Sequence, residues 1–329
     1  MDAMVLDAPR RPLRMEQRSE PQPAAGEIRV RIEACAVCRT DLHIVDGELA
    51  LPRLPIVPGH EIIGIVEATG AKTNDAIRVG ARVGIPWLAH TCGHCPYCVR
   101  GRENLCDAPL FTGHGRDGGF ATHVIAEADF CFLLDLAGDA VHLAPLMCAG
   151  LIGWRALRMA GDDARDLGLY GFGAAAHLIA QVAVHQGRRV YAFTRKGDHA
   201  SQAFARSLGA VWAGDSDQSP PTPLDAAIIF APVGALVPLA LRATRKGGRV
   251  VCGGIHMSDI PQFPYEWLWQ ERQVVSVANL TRADATDFLR VATGLPLEVR
   301  TTVYPLARAN AALQDFRSGR FEGAAVLVP

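Results

Sequence analysis

The chain has 329 residues, 49% of them hydrophobic, with a net charge of −1 and a pI near 6.8. That length accommodates two domains of ordinary size. A near-neutral balance without long charge runs argues against nucleic acid or an anionic membrane surface as the main partner.

The N-terminal stretch MDAMVLDAPRRPLRMEQ lacks the basic-then-apolar order of a signal peptide. Residues 1 to about 147 read as strand-rich. Short alternating runs such as EIRVRI (27–32) and IIGIV (62–66) lie between glycine and proline breaks, the texture of a small all-β barrel or sandwich. Within this region four cysteines, Cys92, Cys95, Cys98 and Cys106, follow C-x2-C-x2-C-x7-C. Thiolates so spaced on a turning loop converge on one ion, and Zn²⁺ takes four at tetrahedral corners. The competing reading, a disulfide cluster, lacks any sign of secretion to support it. Such a closed site is structural, and does no chemistry itself.

Near Ala149 the texture changes. Strand-like runs at 167–170, 190–194, 226–230, 249–252 and 274–278 alternate with helical ones at 174–186 and 200–208. Alternation of this kind implies parallel pairing through helical crossovers. The most apolar stretch, 167–184, is broken by Gly171, Gly173, His177 and Gln181 and makes a poor membrane span. The strand at 167–170 runs into Gly171-Phe172-Gly173-Ala174-Ala175-Ala176, which fits the G-x-G-x-x-A dinucleotide fingerprint. Gly171 makes the turn, Gly173 lets backbone approach a pyrophosphate at the helix N-terminus, and Ala176 allows close packing of helix on strand. At the end of the next strand, where an NAD enzyme usually carries an acid, stand Thr194, Arg195 and Lys196; the first acid is Asp198. A hydroxyl and two cations suit a 2′-phosphate, favouring NADP(H) over NAD(H); the alternative leaves Arg195 and Lys196 as solvated turn residues. Beyond residue 281, helices near 284–293 and 306–318 and a strand at 323–328 are expected to return to the first domain.

Cys38 in CRTDLH, His60 in PGHE and Cys148 in PLMCAG are scattered, and each alone is equally a core or surface residue. Cys35 and Cys38 also form a C-x-x-C, but nothing around Cys35 supports a redox motif. Taken in order, CRTDLH, GHE, the four-cysteine lobe, CAG and the glycine motif resemble the zinc-dependent medium-chain alcohol dehydrogenases over nearly the whole chain. The phrases GIPWLAHTCGHCPYC, CAGLIGWRAL and GGIHMSDIP are similar to a bacterial branch related to the cinnamyl-alcohol dehydrogenases.

The resemblance implies an α/β protein. A GroES-like β-rich catalytic domain spans 1–148, with its lobe at about 89–108. A doubly wound Rossmann domain spans 149–281, and a C-terminal return spans 282–329. It implies a catalytic zinc on Cys38, His60 and Cys148, with one corner open. Asp41 is expected to orient His60, and Glu61 to stand behind the ligands and approach the zinc during ligand exchange, with an ordinary salt bridge as the alternative for each. Thr40 and His43 look like the family's hydroxyl-to-histidine proton relay through the cofactor ribose. Trp87, Leu88 and Leu49 look like substrate-pocket residues, with a core tryptophan as the alternative at Trp87. Two family features are missing: a threonine after CAG, where Leu151-Ile152-Gly153 stands, and a C-terminal arginine on the pyrophosphate. Arg282 is a substitute for that charge, or else a plain surface arginine.

The reading is therefore a cytoplasmic, homo-oligomeric alcohol dehydrogenase or aldehyde reductase with two Zn²⁺ per chain and NADP(H), acting on a small primary alcohol or aldehyde. The competing reading is a non-catalytic zinc- and nucleotide-binding regulator or redox sensor. A zinc-free quinone reductase ranks below both, because such chains usually lack both ligand sets.

Overall fold

The computed structural model describes residues 1–320 and 323–329. The chain divides into two compact units, Met1–Cys148 with Asn279–Pro329, and Ala149–Ala278.

The first unit is built on a seven-stranded sheet. Its path runs Thr301–Pro305, Ala324–Val328, Glu27–Val37, Glu61–Thr69, Arg82–Ile85 and Phe132–Leu133, with His123–Glu127 also paired to Glu27–Val37. The pairings are antiparallel except for the first. Glu27–Val37 buries alternate residues because its apolar side chains recur at period two. Ile28, Val30 and Ile32 thereby join Ile62, Val66, Val83 and Phe120 in one core. The C-terminal strand is part of the same sheet, its Ala325–Leu327 opposite Val37–Cys35. That pairing ties the last residues of the chain to the strand that leads into Cys38.

The second unit holds a six-stranded sheet, all parallel. Its spatial order is Trp212–Asp215, Arg189–Thr194, Asp166–Tyr170, Leu224–Ile229, Thr244–Cys252 and Gln273–Ser276. Numbered along the chain this is 3-2-1-4-5-6, the doubly wound dinucleotide-binding order. The near-continuous burial of Asp166–Tyr170 and Leu224–Ile229 follows from cover on both faces.

Several elements differ from the sequence reading for local reasons. The helix Arg39–Asp46 has only eight residues and owes its start to a capping box on Cys38 rather than on the usual hydroxyl. The helix Leu236–Ala243 tolerates Pro238 because it lies in the first turn. The strands Trp212–Asp215 and Thr301–Pro305 are short edge segments carrying residues that read as turn signals. Thr244–Cys252 also starts earlier than expected, through Gly247 at φ 71. Among the described residues no single helix is long and apolar enough to cross a membrane.

Candidate active site

The first unit gathers Cys38, His60, Glu61 and Cys148, one ligand atom of each lying within 4.8 Å of all the others. Cys38 is the N-cap of the helix Arg39–Asp46. His60 is wholly buried at the start of the strand Glu61–Thr69, and Cys148 follows the 3₁₀ turn Ala144–Met147. The two sulfurs are 3.8 Å apart.

Asp41 organises this cluster. Its Oδ2 accepts from the Cys38 backbone N–H at 2.9 Å; its Oδ1 accepts from the Gly59 N–H at 3.2 Å and pairs with His60 Nδ1 at 3.1 Å. Gly59 has φ 98, and a Cβ there would meet Phe120 at 2.5 Å and the Cys35 sulfur at 2.9 Å, so glycine is required for this approach. With Nδ1 turned to Asp41, the buried His60 Nε2 makes no hydrogen bond. A buried imidazole nitrogen aimed at two sulfurs is the donor set of an open zinc site.

Without an ion the cluster holds its protons unevenly: the bond to Cys38 pushes the Cys148 thiol well above its ordinary range, and His60 is raised although burial opposes it, chiefly by the Asp41 carboxylate. The hydrogen bond from Cys148 holds the Cys38 thiol well below its ordinary range, against the effect of burial. Burial and the neighbouring Cys38 thiolate push Glu61 well above the carboxylate range. Two adjacent half-buried thiols resist ionising together; a dication removes that conflict.

Thr40 is buried, and its hydroxyl oxygen lies 3.6 Å from the Cys38 sulfur. His43 is also buried, and its Nδ1 pairs with Glu48. Trp87 lies edge-on to His60, with ring centroids 5.0 Å apart, and stacks on Phe111 at 4.9 Å. His114 completes this aromatic group, 5.7 Å from Trp87. Leu49 packs at the margin of the core, whereas Leu88 is fully buried opposite Phe111. Leu88 is thus a packing residue. Glu48, Phe111 and His114 carry no motif and were not singled out from sequence; only contact geometry reveals them.

The four lobe cysteines also converge, their sulfurs within 4.8 Å of one another. The Cys95 N–H donates to the Cys92 sulfur, and the Cys92 and Ala108 N–H groups donate to the Cys106 sulfur. Backbone amides of Cys98 and Asp107 bring the Cys95 thiol down to about 6, while burial and the neighbouring Cys95 push the Cys98 thiol up to about 12, so without an ion the thiols ionise at one another's expense. All nine cysteines are free thiols.

In the second unit Gly171 has φ 86, and a Cβ there would strike Ala231 at 2.9 Å. Gly173 is the N-cap of the helix Ala174–His185, with open space where a Cβ would stand. The first-turn amides there meet no capping side chain, as an anion-binding helix start requires. Ala176 is fully buried. Arg195 and Lys196 are exposed on the turn after the second strand, while Asp198 is engaged as the N-cap of the next helix. Thr194 differs from expectation: its buried hydroxyl accepts from Gln202 and donates toward backbone carbonyls, because the strand's pleat turns it inward. Arg282 differs too. Its guanidinium forms a two-pronged pair with Glu103, with contacts of 2.7 and 3.1 Å, and lies 4.8 Å over the Phe130 ring.

One unit whose mostly antiparallel sheet carries a cluster of two thiols and one imidazole, and a second unit built on a 3-2-1-4-5-6 parallel sheet, together define the medium-chain dehydrogenase class. A profile of the alcohol dehydrogenase GroES-like domain matches residues 24–135. The chain is 46% identical over 323 residues to a probable alcohol dehydrogenase, AdhA, of Mycobacterium tuberculosis, covering 96% of this chain and 93% of that one. An alcohol dehydrogenase of Moraxella is 32% identical, with 99% of both chains covered. Among solved structures, the alcohol dehydrogenase of Aeropyrum pernix superposes with a TM-score of 0.88 at 26% identity, over 100% of both chains. A thermostable alcohol dehydrogenase of Pyrobaculum aerophilum shares the fold at a TM-score of 0.90 and 24% identity, covering 100% of this chain and 99% of that one. The chain belongs to the zinc-dependent medium-chain alcohol dehydrogenase family.

The Glu103–Arg282 pair carries a pH signature. Burial alone would raise the Glu103 carboxyl, but the bonds from Arg282 outweigh it and hold it below the usual range. Its contribution is therefore present above the unfolded carboxylate value, near 4.5, and fades as pH falls through the lower folded value. Glu103→Gln is expected to lower the urea midpoint at pH 6, with the difference from the parent chain shrinking as pH falls below the unfolded carboxylate value. A pH-independent difference in midpoint contradicts this.

Proposed function

We propose that the chain is a zinc-dependent alcohol dehydrogenase, or in reverse an aldehyde reductase, that moves a hydride between a small primary alcohol and NADP(H). The observation that carries this reading is the gathering of two half-buried thiols and one buried imidazole whose ring Asp41 orients. A regulatory or sensor relative has no need of Thr40 and His43 beside that assembly.

Cys38, His60 and Cys148 would hold the catalytic zinc, and Cys92, Cys95, Cys98 and Cys106 a structural one. When bound, the catalytic ion supplies a Lewis acid toward an alcohol or carbonyl oxygen. The two thiolates neutralise it, and Asp41 fixes the imidazole so that Nε2 faces inward. Glu61 would stand behind the ligands, next to His60 in the same cluster. Thr40 offers a hydroxyl to the substrate oxygen, and His43 takes up the proton, general-base work for which imidazole is the commonest side chain. Trp87, with Phe111 behind it, would present a flat wall beside His60 and favour slim or planar substrates; Leu49 would add an apolar edge. Gly171, Gly173 and Ala176 would seat the dinucleotide, which when bound carries the hydride, and Arg195 with Lys196 would take the 2′-phosphate. Arg282, committed to Glu103, is left out of that set, as is Thr194. The nine free thiols fit a reducing, cytoplasmic setting, and the lobe is the surface through which the chain would form a homo-oligomer.

A panel of alcohols and aldehydes with each cofactor tests the reading. Cys38→Ser is expected to lower kcat/KM about a thousandfold or more while leaving the chain folded by circular dichroism; retained turnover sinks the ligand assignment. Arg195→Asp is expected to lower the NADP-to-NAD ratio of kcat/KM by about ten- to a hundredfold. An unchanged ratio contradicts the cofactor preference.

A further inference from the structure

The helix Arg39–Asp46 ends abruptly. Gly47 adopts φ 73, and its N–H turns back to the carbonyls of His43 and Ile44. The next two amides, of Glu48 and Leu49, also donate to the His43 carbonyl, at 2.9 and 3.3 Å. Three consecutive backbone groups thus wrap the chain around His43. The result is side-chain contact as well: Glu48 Oε2 pairs with His43 Nδ1. The two partners differ in setting. The His43 side chain is 8% exposed and that of Glu48 46%.

Neighbouring charges are otherwise engaged. Asp41, on the same helix, is bound to His60 and two backbone amides. Asp46 accepts from Arg317 at 2.6 Å, its backbone carbonyl accepts from Arg10, and Arg39 lies over the Phe316 ring. Across from the turn, His114 Nε2 meets the Ala50 carbonyl at 2.9 Å. Among the described residues, Glu48 is a carboxylate in direct contact with the His43 ring.

We propose that Glu48 is a positioning residue of the proton path, acting through His43. This rests on the reading of His43 as proton acceptor. A carboxylate on Nδ1 keeps that nitrogen as the N–H donor, so the lone pair of the neutral ring is on Nε2. When Nε2 takes a proton the ring becomes a cation, and Glu48 offsets that charge without itself being protonated. The proton then leaves the imidazolium to water, restoring the same tautomer. Burial alone would disfavour the cation. Glu48 supplies what lets a buried histidine accept a proton and release it again.

The test compares the intact zinc- and cofactor-loaded enzyme with Glu48→Gln, Glu48→Asp and His43→Gln, in alcohol oxidation across pH 6 to 10. Glu48→Gln is expected to lower kcat about tenfold, with both KM values within twofold of the parent. The kcat profile should lose its parent shape, the solvent deuterium effect should rise, and added imidazole should restore rate. Glu48→Asp should recover most of the rate. Nitrogen-15 NMR of the ring should show a fixed Nδ1–H tautomer in the parent and a mixture in Glu48→Gln. A Glu48→Gln profile superimposable on the parent, with His43→Gln slow, overturns this inference and leaves the relay standing. A loss in Glu48→Gln without rescue by imidazole and with a fixed tautomer also overturns it. If His43→Gln itself is fast, the relay and this inference fall together.

Discussion

The site depends on one buried carboxylate. Asp41 is inaccessible to solvent, so each of its oxygens must find donors or impose a cost of several kcal/mol. It finds three, and they come from separate places: the N-cap of a helix, the glycine ahead of a strand, and the imidazole of that strand's neighbour. Satisfying Asp41 places two of the three ligands, Cys38 and His60, while Cys148 is delivered by the turn Ala144–Met147. The same bonds that end the carboxylate's isolation turn His60 Nε2 toward the Cys38 and Cys148 sulfurs. Cys38 is held twice, since its backbone binds Asp41 and its side chain closes the capping box.

The rest of the first unit serves this arrangement. The antiparallel sheet brings the strands before Cys38 and after His60 into register, with Ala36 opposite Glu61. The Cys₄ lobe stands apart from that chemistry. Its link is mechanical: Glu103, three residues ahead of Cys106, accepts from both the guanidinium and the backbone N–H of Arg282 at the start of the helix Arg282–Thr293. A carboxylate at a helix N-terminus is favourable in its own right. The second unit carries its own logic, a glycine turn feeding a helix whose first amides are left for an anion.

Much of this was legible in the sequence, because metal ligands and glycine turns are encoded by spacing and residue type. The Cys₄ motif, G-x-G-x-x-A and the alternation of strands and helices each have a local signature. Cys38, His60 and Cys148 do not, being 22 and 88 residues apart along the chain; their order among other motifs made them visible, and the fold brings them within bonding range of one ion. What sequence could not give was orientation. Thr194 faces inward because of strand pleat, and Arg282 meets Glu103, 179 residues away. Leu88 is buried where a pocket residue was expected. Trp87 lies beside His60 only because Phe111 and the pairing of Leu88 with Phe111 hold it there. Glu48 was invisible for the same reason, since its role arises from a left-handed turn at Gly47.

The central claim is that Asp41 assembles an open metal site distinct from the lobe's closed one. The most direct measurement is metal stoichiometry by native mass spectrometry for the parent chain and for Asp41→Asn, after dialysis against a weak chelator. The account predicts two zinc ions in the parent and one in the variant, held by the four lobe cysteines, because loss of the orienting carboxylate lowers affinity at the other site by about ten- to a hundredfold. Two ions retained in both chains would contradict it.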